Sequence, residues 1–219
     1  MGALDGVQDL YRDRFNPIER EQKNQLWKIL CPFLQKYFST PGAILDLGAG
    51  YCEFINNIKA EKKFAVDMNP DTISSADKNV KVFQSKCDQL PFFESEFLDG
   101  VFLSNVLEHL DDKAHVMAVL RELHRVLKVG GRLVILMPNI RFAYREYWDF
   151  FDHQVALSEK SVVEACLMAG FKTRVVIPAF LPYTTKSRLP QWDFFVRIYL
   201  AVPLLWRVFG KQALVVVEK

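Results

Sequence analysis

The sequence predicts an α/β protein, a seven-stranded and mainly parallel sheet with helices on both faces and an antiparallel last strand. Three observations carry this expectation. Short apolar runs alternate with segments of helical period along most of the chain. The run ILDLGAGYCEF at 44–54 passes from strand towards helix through two glycines. The closing run QALVVVEK follows a stretch rich in proline and aromatics instead of a simple crossover helix, so it is expected to reverse direction.

Each element has its own signal. Leu26, Ile29, Leu30, Phe33, Leu34 and Tyr37 recur at helical spacing and predict an amphipathic helix over 18–38. Pro41 and Gly42 close it. AILDL predicts the first strand, followed by a helix to about Lys59. KKFAVD predicts the second strand, with a short helix after Pro70, and VKVFQS the third. LDGVFLS leads into a long helix through KAHVMAVLRELHRVLK, and GGRLVILMP is the fifth strand. A helix over 158–169 leads into FKTRVVIPAF, and QALVVVEK ends the sheet. Right-handed crossovers bring the carboxyl ends of the parallel strands to one edge, where open α/β sheets bind ligands.

Composition narrows the function classes. The chain has 219 residues, half of them apolar and a quarter charged, which suits one domain with a substantial core. A formal net charge of +2 gives no reason to expect a nucleic-acid partner. Cys31, Cys52, Cys87 and Cys166 are scattered with no C-x-x-C pair, as expected of a cytoplasmic protein without a disulfide framework or a thiolate zinc site. The N-terminal MGALDGVQDLYRDRF lacks a signal-peptide apolar stretch, and Gly6 stands where a myristoylation motif needs Ser or Thr. The greasiest segment, 194–210, carries Arg197, Pro203 and Arg207 and falls short of the ~20 residues of a membrane span. It is expected to break into two short amphipathic pieces at Pro203. Those pieces would bury themselves as a pocket cap or, as the alternative, touch a membrane surface weakly.

The glycine turn and the acids after it raise a choice of ligand. Gly48 and Gly50 clear a strand-to-helix turn so that backbone N–H groups can approach a ligand. A dinucleotide turn wants a third glycine at position 53, and the chain has Glu53 there. Asp67 ends the next strand about twenty residues past the turn, where a carboxylate can accept both ribose hydroxyls. Asp88, in CDQLPF, is placed to accept from an adenine amino group.

At these residues the chain resembles the class I S-adenosylmethionine-dependent methyltransferases, in the small-molecule branch that includes ubiquinone-pathway enzymes. LDLGAGYC is similar to that family's first motif, AVDMN to its acidic ribose-binding motif and CDQLPF to its adenine loop, over about residues 40–140. The resemblance implies a Rossmann-like fold and S-adenosyl-L-methionine as cofactor. It implies that Gly48 and Gly50 face the cofactor's amino-acid end, Asp67 the ribose and Asp88 the adenine, with Ser104 and Asn105 near the methionine moiety. Asp46, Met68 and Gln89 complete the expected cofactor-binding set. The chain then reads as one domain over 1–219: an N-terminal helical cap (1–40), a cofactor-binding core (40–140) and acceptor-side elements with the final strands (140–219).

The acceptor chemistry rests on fewer residues. Neither an Asn/Asp-Pro-Pro-Tyr after the fourth strand nor a Pro-Cys nucleophile is present, so an oxygen acceptor, on a small molecule or glycan, is the leading expectation. In NVLEHL, Asn105, Glu108 and His109 fall at i, i+3 and i+4, which predicts one helical face at the ligand edge. Asp152 and His153 return over the same edge. A carboxylate and two imidazoles there can bind a divalent cation that polarises an acceptor hydroxyl. The region is similar to the Glu-x-x-Glu-His of ubiquinone-pathway O-methyltransferases and to metal-dependent methyltransferases acting on the terminal ribose of small RNAs. Glu108, His109 and His153 match that pattern as metal ligands, while Asn105 replaces its first Glu. Without a metal, His109 or His153 is the candidate catalytic base. His115 and His124, on the long helix, read as surface or packing residues.

The aromatics at 142–151 read either as core under a lid or as stacking surfaces for a sugar or other ring. Arg141, Arg145, Lys186 and Arg188 read as solvated charges or as partners of an anionic group. FLPYTTKSRLPQW with 194–210 is less specifically similar to methyltransferases encoded with bacterial surface-polysaccharide enzymes, which implies a sugar hydroxyl, on a lipid carrier. The rival readings are an NAD(P)-type oxidoreductase on a similar sheet and a non-catalytic cofactor-binding scaffold.

Overall fold

The computed structural model describes residues 17–183 and 193–219. The Met-Gly start, Lys186 and Arg188 lie outside the described residues. Seven strands form one sheet: β1 (Ala43–Leu47), β2 (Lys62–Asp67), β3 (Val80–Gln84), β4 (Leu98–Ser104), β5 (Leu127–Pro138), β6 (Lys172–Leu181) and β7 (Gln212–Glu218), in the order β3-β2-β1-β4-β5-β7-β6. The pairs β1·β2, β1·β4, β2·β3 and β4·β5 are parallel. β7 runs antiparallel to both β5 and β6, as the interrupted approach to QALVVVEK predicts.

Helices cover both faces. On one side lie α1 (Pro17–Leu34) and α2 (Glu53–Asn57), joined late in the chain by α7 (Asp193–Ala201) and α8 (Pro203–Phe209). Trp27 of α1 meets Phe102 of β4 edge-on at 5.6 Å, and Phe54 of α2 stacks on Phe102 at 3.9 Å, so this layer interlocks through aromatic rings. On the other face lie α4 (Lys113–Val126) and α6 (Glu159–Met168), after the short α3 (Asp71–Ser75) and α5 (Ile140–Ala143). α4 starts at Asp112, whose side chain accepts from the His115 N–H at 2.8 Å, and buries Val116, Val119, Leu120, Leu123 and Val126 along one stripe.

Two local expectations change. α1 ends at Leu34 and a single 3-10 turn, Gln35–Tyr37, completes the expected 18–38 segment. β5 begins at Leu127 instead of Gly130, because the chain enters the sheet through an irregularity where Gly130 takes a φ of +78° and its N–H bonds to the Lys219 carbonyl. The 194–210 segment breaks between α7 and α8 as Pro203 requires. It does not bury itself fully. Tyr199 and Leu200 of α7 face inward, whereas α8 buries no residue.

Candidate functional site

The carboxyl ends of β1, β2, β4 and β5 open onto one edge. β1 leaves the sheet at Gly48, which has a φ of +72°; a Cβ there would lie 2.3 Å from Cγ2 of Val106, so only glycine fits on both counts. The N–H groups of Gly48 and Ala49 donate to the Val66 carbonyl (2.8 and 3.3 Å), and the Gly50 N–H donates to Asp67 Oδ2 (2.7 Å). These donors are therefore occupied inside the protein. The expectation that the turn offers them to a ligand gives way to another physical role: the glycines supply room. Among the described residues, chain neighbours aside, no heavy atom lies within 4 Å of where a Cβ on Gly50 would stand.

Asp67 is held from both sides, since its Oδ1 also accepts from the Asn69 N–H at 2.8 Å. Burial raises its carboxyl above the ordinary value, and these backbone hydrogen bonds work against the rise. Each oxygen keeps lone-pair capacity for a hydroxyl. Met68, 39 % exposed, follows at the lip, and its carbonyl accepts from the Gln84 side chain at 3.1 Å. Asp46 is placed otherwise than the cofactor-facing expectation. It is buried beneath the turn, and burial, with Glu53 and Asp67, drives its carboxyl well above the carboxylate range. Glu53, at the position where a dinucleotide turn has glycine, pairs with Lys23 of α1 at 3.1 Å. Arg20 of the same helix lies over the Tyr51 ring at 3.6 Å, so α1 lids the turn.

Asp88 follows β3 and meets a residue that sequence reasoning assigned to the surface. His115 Nε2 approaches Asp88 Oδ2 at 3.5 Å, an ion-pair distance without hydrogen-bond geometry, while its Nδ1 faces Asp111 Oδ2 at 3.2 Å. Asp88 Oδ1 is buried with no hydrogen-bond partner among the described residues. Gln89 is exposed, and its carbonyl accepts from Ser85 Oγ at 2.8 Å. His124 packs edge-on against Phe171 at 5.0 Å, the packing role expected of it.

Ser104 and Asn105 end β4 at the same edge, joined by a 3.0 Å side-chain hydrogen bond. Here the expected helical face does not form. Asn105 adopts a left-handed φ of +52°, its N–H bonds to the Leu136 carbonyl, and only a 3-10 turn, Leu107–His109, follows. Val106, wedged over Gly48, sets this path. Glu108 and His109 follow in that turn.

That cluster is the densest chemistry on the edge. The Glu108 carbonyl accepts from the N–H groups of Gln154 (2.8 Å) and Val155 (3.1 Å), and this brings Asp152 and His153 back as the sequence predicts. One ligand atom from each of Glu108, His109 and His153 lies within 4.8 Å of the other two. His109 Nδ1 sits 3.0 Å from the Asp152 carbonyl and 3.4 Å from its Oδ2, which turns Nε2 towards Glu108 Oε1 at 4.0 Å. The two imidazoles meet edge-on at 4.9 Å, and Tyr147 and Phe150 pack on His153 at 4.7 and 5.2 Å. Glu108 is buried, and its Oε2 has no hydrogen-bond partner among the described residues. Burial, reinforced by Asp152, pushes its carboxyl up to about 8.

A stability prediction follows from Glu108. A carboxyl whose folded value is raised stabilises the fold fully below its unfolded value of about 4.3, and this contribution fades as pH rises through about 8. In metal-stripped protein, Glu108→Gln removes the charge that burial opposes. Its melting temperature relative to the unsubstituted protein is therefore expected to climb as pH goes from 5 towards 8. Thermal scans across that range check it, and a pH-independent difference would place the carboxyl at its ordinary value.

The aromatics beyond β5 divide. Tyr147 is core, its hydroxyl donating to the Val155 carbonyl at 2.6 Å, whereas Tyr144, Trp148 and Phe151 are exposed. Arg141 is committed to Glu159, which also accepts from Asn139. Tyr183 meets Phe150 edge-on at 5.5 Å, and its buried hydroxyl has no hydrogen-bond partner among the described residues.

Residues 45–135 match a family model described as a methyltransferase domain. No curated protein matches the sequence. Among solved structures, the chain is similar to a SAM-dependent methyltransferase of Archaeoglobus fulgidus, with a TM-score of 0.67 at 22% identity over 90% of this chain and 94% of that one. A SAM-dependent methyltransferase of Thermotoga maritima gives a TM-score of 0.67 at 20% identity over 92% and 95%. A geranyl diphosphate methyltransferase in complex with SAM gives 0.60 at 17% over 87% and 84%. At these identities the likeness is one of fold, and the fold is the Rossmann-like sheet described above.

Proposed function

We propose that this chain, whose residues 45–135 match a methyltransferase-domain model, is a class I S-adenosylmethionine-dependent methyltransferase that methylates a hydroxyl oxygen of a small molecule or glycan. The observation that carries this reading is the meeting of Glu108, His109 and His153 at the ligand edge, one ligand atom of each within 4.8 Å of the others. No Asn/Asp-Pro-Pro-Tyr follows β4, where Ser104, Asn105, Val106 and Leu107 stand instead.

The cofactor fits the chain's own groups. Gly50 leaves room among the described residues, Asp67 offers both carboxylate oxygens to ribose hydroxyls, and Asp88 is assigned to the adenine amino group. Ser104 and Asn105 lie beside the methionine moiety in this reading. Methyl transfer breaks the sulfonium S–CH3 bond as the O–CH3 bond forms, and the hydroxyl proton passes to a base. His109, oriented through Nδ1 by Asp152, and His153 are the candidate acceptors of that proton.

The same residues fit a divalent cation. An imidazole fixed through Nδ1 by a carbonyl and a carboxylate is the support that metal-ligating histidines receive. Two nitrogens and one oxygen favour zinc, cobalt or manganese over magnesium, which prefers oxygen ligands alone. When bound, such an ion supplies Lewis-acid polarisation of the acceptor hydroxyl. The four free thiols, three of them buried, suit a cytoplasmic enzyme.

Formation of S-adenosylhomocysteine from matched hydroxyl and amine acceptors tests the proposal. Turnover confined to the amine would reject it. A second measurement isolates the adenine end, where Asp88→Asn and His115→Ala are each expected to weaken S-adenosylhomocysteine binding about tenfold. Both are also expected to erode its preference over S-inosylhomocysteine, which carries a carbonyl where adenine has its amino group. Calorimetry with the two ligands reads this, and an unchanged preference would remove Asp88 from the adenine.

A further inference from the structure

We infer that α7 and α8 form a docking face for the surface of an anionic phospholipid bilayer. Phe194, Leu204 and Val208 each expose 66 % of their surface, and Ile198 and Phe209 are exposed beside them. Ordinary soluble surfaces scatter such residues singly. Here they occupy consecutive turns of two short helices whose opposite sides are fixed: Tyr199 Oη donates to the Phe180 carbonyl at 2.6 Å, and Trp206 Nε1 donates to the Tyr199 carbonyl at 2.7 Å. The apolar face is therefore held outward by the packing behind it.

Charge selects the occupant. α7 and α8 carry Arg197 and Arg207 against one acidic residue, Asp193 at the start of α7, and Lys211 follows them. Lys211 is engaged by Glu146 at 2.5 Å, but the exposed Arg197 and Arg207 form no ion pair among the described residues. Arg197 lies one turn from Phe194 and beside Ile198, and Arg207 one turn from Leu204 and beside Val208, so each cation shares the apolar face. Long cationic side chains at the rim of an inserted apolar face reach lipid phosphates while their stems stay among acyl chains. A second copy of the chain would meet this face with a surface of the same sign, since two-fold pairing sets like patches together. A cleft of about 410 Å³ opens between α8 and the edge strand β6, lined by Phe142, Val176, Pro203 and Trp206 with Arg207 as its one charged wall. It adds apolar room continuous with the face. Among the described residues no helix is long and apolar enough to cross a membrane, so the contact is interfacial.

Flotation of the full chain with vesicles tests this. The protein is expected to float with mixed phosphatidylcholine and phosphatidylglycerol at low salt, and to stay at the bottom with phosphatidylcholine alone or at high salt. Arg197→Gln with Arg207→Gln is expected to lower the partition coefficient about thirtyfold, as the loss of two basic residues at such a surface should. Leu204→Ser with Val208→Ser is expected to abolish flotation with an unchanged melting temperature, because both side chains are exposed in the folded protein. Absence of flotation with the mixed vesicles at low salt overturns the inference, as does flotation of either variant equal to that of the unsubstituted chain. A dimer in sedimentation that the Leu204/Val208 variant dissociates, without flotation, assigns the face to a second copy instead.

Discussion

His153→Ala is expected to lower kcat by roughly 10²–10³-fold, the scale of a lost catalytic base or metal ligand, while leaving S-adenosylmethionine affinity nearly unchanged. The separation follows from position. His153 stands with Glu108 and His109, held there by the hydrogen bonds from Gln154 and Val155 to the Glu108 carbonyl, and it belongs to none of the turns around Asp67 or Asp88. Chelation divides the two ways in which the residue can act. If a cation is used, exhaustive chelation reproduces the effect of the substitution, and zinc, cobalt or manganese restores activity to the unsubstituted enzyme but not to His153→Ala. If His153 acts as a base, chelation leaves the rate unchanged and the substitution still slows it. A fully active His153→Ala enzyme would remove His153 from catalysis and leave His109 as the candidate base. His153 also packs on Tyr147 and Phe150, so a melting curve must accompany the kinetics.

Asp67→Ala is expected to weaken S-adenosylmethionine binding by about 2–3 kcal/mol, which is about one to two orders of magnitude in Kd. Two losses combine. The ribose loses a charged acceptor, and the Gly50 N–H loses the carboxylate that fixes the turn beside it. Asp67→Asn separates them, because an amide oxygen can still receive one backbone donor while the charge is gone. Burial raises the Asp67 carboxyl, so affinity is also expected to fall on acidification at a higher pH than an ordinary carboxylate would give. Calorimetry at two pH values reads both effects. Unchanged affinity in a folded Asp67→Ala protein would sink the ribose assignment.

Much of the fold was legible in the chain because strands and helices here carry their own punctuation. AILDL, KKFAVD and LDGVFLS lie between glycine, proline and polar breaks, and the approach to QALVVVEK marks the reversal of the last strand. The meeting of Glu108, His109 and His153 was also anticipated from spacing. What escaped depends on contacts distant in sequence. The i, i+3, i+4 spacing at 105–109 is the same for a helix as for the path taken; the left-handed Asn105 and the lock of Val106 over Gly48 decide between them. His115 looks like any helix-surface histidine until α4 is docked beside the loop that carries Asp88. Asp46 reads as part of the glycine motif, yet it is buried at the end of β1.

The placing of β7 between β5 and β6 has a further consequence. Pro138 pairs with Gln212, and the Asn139 N–H bonds to the Lys211 carbonyl at 2.9 Å, so the two ends of the segment between β5 and β7 are clamped together. The one strand of that segment, β6, joins the sheet only at its outer edge, beside β7, while His153 lies in the loop before it and α7 and α8 after it. Lengthening such a loop costs free energy only logarithmically in its length. Insertions between 139 and 211 are thus expected to leave in place the edge of β1–β4, where we propose that the methyl donor binds.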